Sequence, residues 1–170
     1  MSASPPVDTP SAVKRFSVIC VLLALALPGA AAARTGAPGD GSLLVKGGNG
    51  TIWIKAKGGV IGHFTDGVLI VRDFNPDDNV SEVVTGAERS HVVSDQVTKY
   101  WGSDARFRYI GGRFTITVTG FGINLSAIGK GFVTLQGNKG TDDDGTFSLN
   151  GAAPQPITDI QQIFSLGTTG

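Results

Sequence analysis

Apolar and polar residues alternate along several short stretches of this chain, and glycines separate the stretches. The clearest is residues 51–57, TIWIKAK, in which every second side chain is apolar. Strict alternation of this kind is typical of a β-strand that has one buried face. Residues 43–46, 60–65 and 68–72 are three further apolar stretches of similar length. Short strands with turn residues at close spacing predict an all-β domain.

The same pattern of strands recurs in the second half of the chain. Residues 40–73 align without a gap on residues 104–137, and seven of the 34 aligned positions are identical. Four of these identities are glycines, and the apolar positions keep the same register in both stretches. We interpret the pattern as a degenerate duplication of one four-stranded unit.

Two such units predict an antiparallel β-sandwich or a closed barrel, with the apolar face of one unit packed on that of the other. Asp66-Gly67 favours antiparallel pairing, because Asp-Gly is a preferred two-residue turn of a β-hairpin. A β-solenoid is the alternative, since its rungs also combine short strands with glycine corners. Between the units, residues 91–101 fit one or two strands, or a short helix that begins at Ser94.

The N-terminus has the order of a secretory signal peptide. Lys14 and Arg15 precede the apolar run FSVICVLLALAL, and a Pro-Gly pair and several alanines follow it. This run is shorter than the roughly 20 residues that a membrane-spanning helix needs. We therefore predict a signal peptide at 1–33, a linker at 34–41, one all-β domain at 42–151 and a C-terminal tail at 152–170. An uncleaved N-terminal anchor is the alternative.

Cleavage removes the one cysteine, Cys20, so the mature domain must be stabilised by its core rather than by disulfides. The loss of Asp8, Lys14 and Arg15 leaves 12 basic and 13 acidic side chains. A balance of −1 produces no strong field toward nucleic acid or anionic lipid. We therefore predict no nucleic-acid partner, and no stable membrane span after cleavage.

The common catalytic motifs are absent from the sequence. It contains no HExxH, GxSxG or CxxC motif and no phosphate-binding loop. The two histidines, His63 and His91, lack an evident nucleophile, because Ser90 and His91 would point to opposite faces of one strand. We predict that the protein is not an enzyme. An extracellular hydrolase with a cryptic site is the alternative.

Oxygen-bearing side chains recur at every other position after the first unit: Asp73, Asn75, Asp77 and Asn79. This is the spacing of a calcium-binding loop. Pro76 and Asp78 depart from the loop pattern, and Val84 stands where the bidentate glutamate should be. We predict no cofactor, with weak calcium binding at these four residues as the alternative. Residues 142–145 form a second acidic loop.

Aromatic and basic side chains suggest a binding surface. Three of them share the solvent side of strand 51–57, and four follow between residues 100 and 108; the predicted set is Trp53, Lys55, Lys57, Tyr100, Trp101, Arg106 and Arg108. An exposed tryptophan stacks on sugar rings or anchors a protein partner. The alternative is that Trp53 covers a second apolar face beneath residues 80–101.

The segments GGVIGHFTDGVLIV and RFRYIGGRFTITVTGFGINLSAIGKGFV resemble a group of uncharacterised secreted proteins of actinobacteria. The resemblance covers most of residues 40–151 and implies no activity, cofactor or catalytic residue. The sequence therefore predicts a secreted, non-catalytic β-domain of the cell envelope. Such a domain is structural or binds a protein or a cell-wall glycan, and self-association through edge strands is a further alternative.

Overall fold

The computed structural model describes residues 39–75, 82–141 and 143–167. The predicted signal peptide and most of the predicted linker lie outside these ranges, as do Asp77 and Asn79. The described residues form seven strands: β1 (Gly41–Asp73), β2 (Val83–Thr85), β3 (Arg89–Ser94), β4 (Val97–Gln136), β5 (Thr146–Leu149), β6 (Gln155–Pro156) and β7 (Gln162–Leu166). No helix in these ranges is long and apolar enough to cross a membrane. The all-β prediction is confirmed.

Strands β1 and β4 are 33 and 40 residues long, far beyond the length of an average strand. They pair with each other twice, because each uses both of its edges. On one edge, residues 51–73 pair with 114–136 in a constant antiparallel register. On the other edge, β1 pairs first with residues 113–129 and then with residues 97–110.

Bends divide the two long strands into segments of two sheets. Sheet I contains, in spatial order, β3, residues 97–103, 66–73, 113–121, 50–57 and 130–136, and β7. Sheet II contains β2, residues 105–110, 59–64, 123–129 and 41–45, and then β5 and β6. Both sheets end in edge strands, so the fold is an antiparallel β-sandwich and not a closed barrel.

The inner faces of the two sheets share one core. Tyr109 of sheet II contacts Phe114 of sheet I with 4.9 Å between ring centroids, and Phe147 and Phe164 make a second such contact at 4.9 Å. Tilted aromatic pairs at this distance pack favourably. The alternation seen in the sequence sets the inward positions, since Ile52, Ile54 and their cross-strand partners are buried.

Asp66 and Gly67 do not form the predicted hairpin turn. β1 runs through them, and Gly67 lies opposite Gly120 at a corner where both paired strands bend. Both glycines have φ of 157°, and a Cβ on either would overlap the carbonyl oxygen of the residue before its partner. Gly58 and Gly129 face each other in the same way at a second corner. The hairpin prediction was wrong because these glycines bend a continuing pair of strands instead of reversing one.

The two predicted units interleave instead of forming one sheet each. The four central strands of sheet I come alternately from the first and second unit: 66–73, 113–121, 50–57 and 130–136. The offset that aligns residue 40 with residue 104 also aligns Ile52 with Ile116. Ile52 pairs with Val118 and Leu135 on the adjacent strands. Ile116 pairs with Ile54 and Val71, which are the residues that the same offset aligns with Val118 and Leu135.

The segment predicted as a C-terminal tail belongs to the sandwich. β7 pairs with residues 131–135 of sheet I, and β6 pairs with β5 in sheet II. Ile157 and Leu166 are buried in the common core. The domain therefore extends beyond residue 151 to the last described residues. Before the second unit, β3 and the start of β4 form the two strands that were one of the alternatives for residues 91–101.

Candidate functional site

The side of sheet I that points away from the core consists of straight cross-strand rows. Because neighbouring residues of a strand point to opposite faces, burial of Ile52 and Ile54 places Trp53 and Lys55 outside. Directly opposed residues on five adjacent strands make the central row: Ile70, Thr117, Trp53, Thr134 and Ile163. We call this side the outer face of sheet I.

Trp53 stands half-buried at the centre of the outer face, between two threonines on the adjacent strands. Its indole lines a shallow, open pocket with four hydroxyl or amide side chains: Thr51, Thr134, Gln136 and Gln161. In the described part of the chain, no hydrogen bond or ring contact engages this indole. The arrangement offers a flat aromatic surface surrounded by groups that donate and accept hydrogen bonds.

Trp101 lies on the same face, but cations cover its ring. The Lys99 Nζ is 4.6 Å from the ring centroid, and the Arg89 Cζ is 5.9 Å from it. Both distances are within the range of a cation–π contact. The two tryptophans therefore differ in what their rings can still bind.

Five cations occupy the end of the outer face next to the corner at Gly58. Lys57 lies directly between Arg113 and Lys130 on the adjacent strands. The next row along the same strands consists of Arg72, Thr115, Lys55 and Phe132. We call these two rows the basic rows. In the ranges that the structure describes, no carboxylate forms an ion pair with any of the five cations.

The seven residues predicted for binding do not share one surface. Four lie on the outer face of sheet I: Trp53, Lys55, Lys57 and Trp101. Tyr100 points to the opposite side of that sheet, packs against the core, and donates a hydrogen bond from its hydroxyl to the Glu82 Oε1 at 3.0 Å. Burial, followed by the Glu82 carboxylate, raises the pKa of Tyr100 to about 12.

Arg106 and Arg108 lie on the outer face of sheet II, because residues 105–110 pair with 59–64. They line an open pocket together with Ile61, His63, Val83 and Thr85. His63 makes no hydrogen bond to any described side chain, and the same is true of His91 on the exposed edge strand β3. The alternative, in which Trp53 covers an apolar face beneath residues 80–101, also differs from the structure. Residues 82–101 pair with the edges of the two sheets and do not cover Trp53.

The described carboxylates of the two acidic loops close turns. Asp73 is buried, and its Oδ1 accepts a hydrogen bond from the Asn75 backbone N–H at 2.8 Å. In the second loop, Asp144 accepts from the Thr141 hydroxyl at 2.6 Å, and Asp143 accepts from the Gly145 N–H at 2.9 Å. Among residues 39–75, 82–141 and 143–167, no three His, Cys, Asp or Glu side chains form a metal-binding group.

The binding set predicted from the sequence omits five members of the basic rows: Arg72, Arg113, Thr115, Lys130 and Phe132. All of them lie on other strands than Lys55 and Lys57, and only the register of the sheet places them near these two lysines. Comparison of the chain with protein-family models, with curated proteins and with solved structures gives no match. The resemblance to secreted actinobacterial proteins therefore stays a prediction, and the function is inferred from the site alone.

Proposed function

We propose that this protein is a secreted, non-catalytic binding module of the cell envelope, and that the outer face of sheet I binds a glycan. The leader-like order of residues 1–33 supports export. The observation that carries the binding proposal is Trp53, whose indole is half-buried at the centre of a regular face and lines a pocket of threonine and glutamine side chains.

These groups match the chemistry of a sugar. The apolar faces of a sugar ring pack against an aromatic side chain, and hydroxyl and amide groups hydrogen-bond to its hydroxyls. Half-burial holds the Trp53 ring in place before a ligand arrives, which reduces the entropy lost on binding. The pocket is open and the rows around it are straight, so the face suits a chain of sugars more than a small enclosed ligand.

Trp53→Thr tests this proposal, because threonine already stands at the equivalent position of the second unit, Thr117. Binding is measured by depletion from solution onto a panel of insoluble glycans, both neutral and anionic. We expect Trp53→Thr to weaken binding about tenfold or more, as the loss of a central aromatic anchor does in other interfaces. The matched control is Trp101→Thr on the same face, which should retain binding because Lys99 and Arg89 cover that ring.

Two results contradict the proposal. One is that the parent protein binds no member of the panel. The other is that Trp53→Thr binds as tightly as the parent while its unfolding transition is unchanged.

We further propose that the interleaved units are duplicates, and that the duplication is longer than the 34 aligned positions. The same offset also relates Tyr100, which pairs with Leu69, to Phe164, which pairs with Val133. Strands 97–103 and β7 thus take equivalent places beside the central strands of sheet I. This correspondence supports two halves of equal length, residues 41–103 and residues 105–167.

A further inference from the structure

We propose that the basic rows bind the anionic groups of a linear acidic glycan whose sugar rings extend along the outer face of sheet I to Trp53. This inference rests on the proposed function and adds the substrate class: a polysaccharide that carries repeated carboxylate or phosphate groups. Neutral glycans would use Trp53 alone.

The spacing of the cations follows from the sheet. Arg113, Lys57 and Lys130 stand on three adjacent strands, which are about 4.8 Å apart. Lys55 follows Lys57 on the same face, about 6.6 Å further along the strand. Trp53 is the next outward residue of that strand, so the cations and the indole form one continuous track. A polymer that contacts the cations therefore also reaches the indole.

The charges on this track are of one sign. Seven of the eleven lysines and arginines within the described ranges lie on the outer face of sheet I: Lys55, Lys57, Arg72, Arg89, Lys99, Arg113 and Lys130. Among the described residues, Asp66 lies on its rows, opposite Phe121 at the other end of the sheet, and the Glu88 carboxylate accepts a hydrogen bond from the Ser103 hydroxyl at that same end. Along the strands, Asp66 is about 26 Å from the Lys57 row, well beyond a Debye length in physiological salt.

Within residues 39–75, 82–141 and 143–167, the carboxylates nearest the basic rows do not neutralise them. Asp73 adjoins Arg72 in sequence, but its side chain faces the core and accepts the Asn75 N–H. Asp95 lies exposed in the turn after β3, at the edge of the sheet. Lys55, Lys57 and Arg113 are exposed and form no ion pair in the described part of the chain, so an arriving anion displaces none of the described carboxylates.

The side chains beside the basic rows favour a glycan over a nucleic acid. Single-stranded nucleic acids are bound by successive aromatic side chains on which bases stack. Here the residues beside the cations include Thr115, Thr117 and Thr134. The two aromatic side chains, Trp53 and the exposed Phe132, stand on different strands and not in succession along one strand. Hydroxyl-rich surroundings of one indole match the many hydroxyls of a sugar chain.

The experiment compares two triple variants that remove the same charge from opposite faces. The test variant is Lys55→Gln/Lys57→Gln/Arg113→Gln on the outer face of sheet I. The matched control is Lys46→Gln/Arg106→Gln/Arg108→Gln, whose three exposed side chains lie on the outer face of sheet II. All six positions are exposed, so neither variant disturbs the core.

Binding is measured against four defined probes at low and high salt. Polygalacturonate supplies carboxylates, and a phosphorylated galactan supplies phosphates on sugar rings; carboxyl-reduced polygalacturonate is the neutral match, and a single-stranded oligonucleotide is the other kind of polyanion. We expect the test variant to lose on the order of tenfold in affinity for polygalacturonate or the phosphorylated galactan, and the control to lose much less. The preferred of these two polymers then identifies the anionic group. High salt should weaken binding of the parent protein, because exposed charges are screened.

Each contrary result overturns a separate part of the inference. Equal affinity for the neutral polymer, with no effect of the test variant, removes the acidic substrate class but leaves Trp53-dependent glycan binding intact. Equal losses in both triple variants show that only the overall charge matters. Tightest binding to the oligonucleotide, lost in the test variant, assigns the basic rows to nucleic acid instead.

Discussion

Residues 51–57 and 115–121 occupy equivalent places in the sandwich, yet only their inward faces agree. Ile52 and Ile116 are 2% and 1% exposed, and Ile54 and Val118 are fully buried. The outward positions differ at each step: Trp53, Lys55 and Lys57 in the first strand correspond to Thr117, Thr119 and Phe121 in the second. The two strands lie side by side in sheet I, with Trp53 directly opposite Thr117.

The contrast between matching inward residues and differing outward residues separates the requirements of folding from those of a proposed binding role. Inward side chains fill a core packed as densely as an organic crystal, so their size and polarity are restricted. Outward side chains meet water, and substitution there changes stability little. A chemically distinctive outward strand therefore indicates recognition more than folding. We propose that residues 51–57 are such a strand in this protein.

The largest effect is expected when an inward side chain of either strand is truncated. Ile52→Ala and Ile116→Ala should each lower the free energy of unfolding by about 2–5 kcal/mol, because each leaves a cavity in the core. The two losses should agree within about 1 kcal/mol, since the residues have equal burial and equivalent partners. Urea denaturation measures both. Lys55→Ala is the outward control and should stay within about 0.5 kcal/mol of the parent. A large loss in only one isoleucine variant would show that the two environments are not equivalent.

A smaller effect is expected at the corners that carry both strands between the sheets. Gly58 has φ of 155°, and a Cβ there would overlap the carbonyl oxygen of Ile128 and lie 2.7 Å from the Cα of Gly129. Gly58→Ala should therefore cost roughly 1–3 kcal/mol. At the adjacent Gly59 the nearest atom to a Cβ is the Tyr109 oxygen at 3.5 Å, an ordinary contact.

Gly59→Ala is thus the matched control for the corner, and it should change the free energy of unfolding by about 0.5 kcal/mol or less. Urea midpoints of the two variants give the comparison. If both alanines are tolerated equally, the close approach of the facing glycines does not limit the bend.

The smallest effect is expected from Tyr100, which the 64-residue offset of the proposed duplication aligns with Phe164. The pKa of Tyr100 is raised to about 12 by burial and by the Glu82 carboxylate, against about 10 in an unfolded chain. A raised pKa gives stability that is complete below pH 10 and is lost as the pH rises toward 12. Because solvent reaches much of the side chain, the loss should be less than about 1 kcal/mol.

Tyr100→Phe places phenylalanine at both position 100 and position 164, and it removes the dependence of the unfolding free energy on pH that comes from Tyr100. Unfolding free energies of parent and variant, measured between pH 9 and pH 12, should converge as the pH rises. A constant difference across that interval would mean that Tyr100 does not titrate differently in the folded protein.

Sequence reasoning identified the strand class and most inward positions, because alternation along a strand is a local property. It also located the glycines at which the strands bend, but it assigned the wrong geometry to Asp66-Gly67. The hairpin preference of Asp-Gly describes a chain that reverses and pairs with itself. Here the neighbouring strand comes from the other unit, and both strands bend together through Gly67 and Gly120.

For the proposed binding surface, the sequence supplied Trp53, Lys55 and Lys57 but grouped them with Arg106 and Arg108, which lie on the other sheet. The near-zero net charge also gave no sign that most described cations share one face. Net charge is a sum, and it carries no information on where charges lie.

The sequence by itself determined that the chain forms strands and which side of each strand enters the core. Tertiary structure decided which strands are neighbours, and hence that Arg113 and Lys130 flank Lys57. The physical reason is that strands pair through backbone N–H and C=O groups, which every non-proline residue carries. Alternation fixes the face of a side chain, whereas the partner across the strand depends on packing of the whole domain.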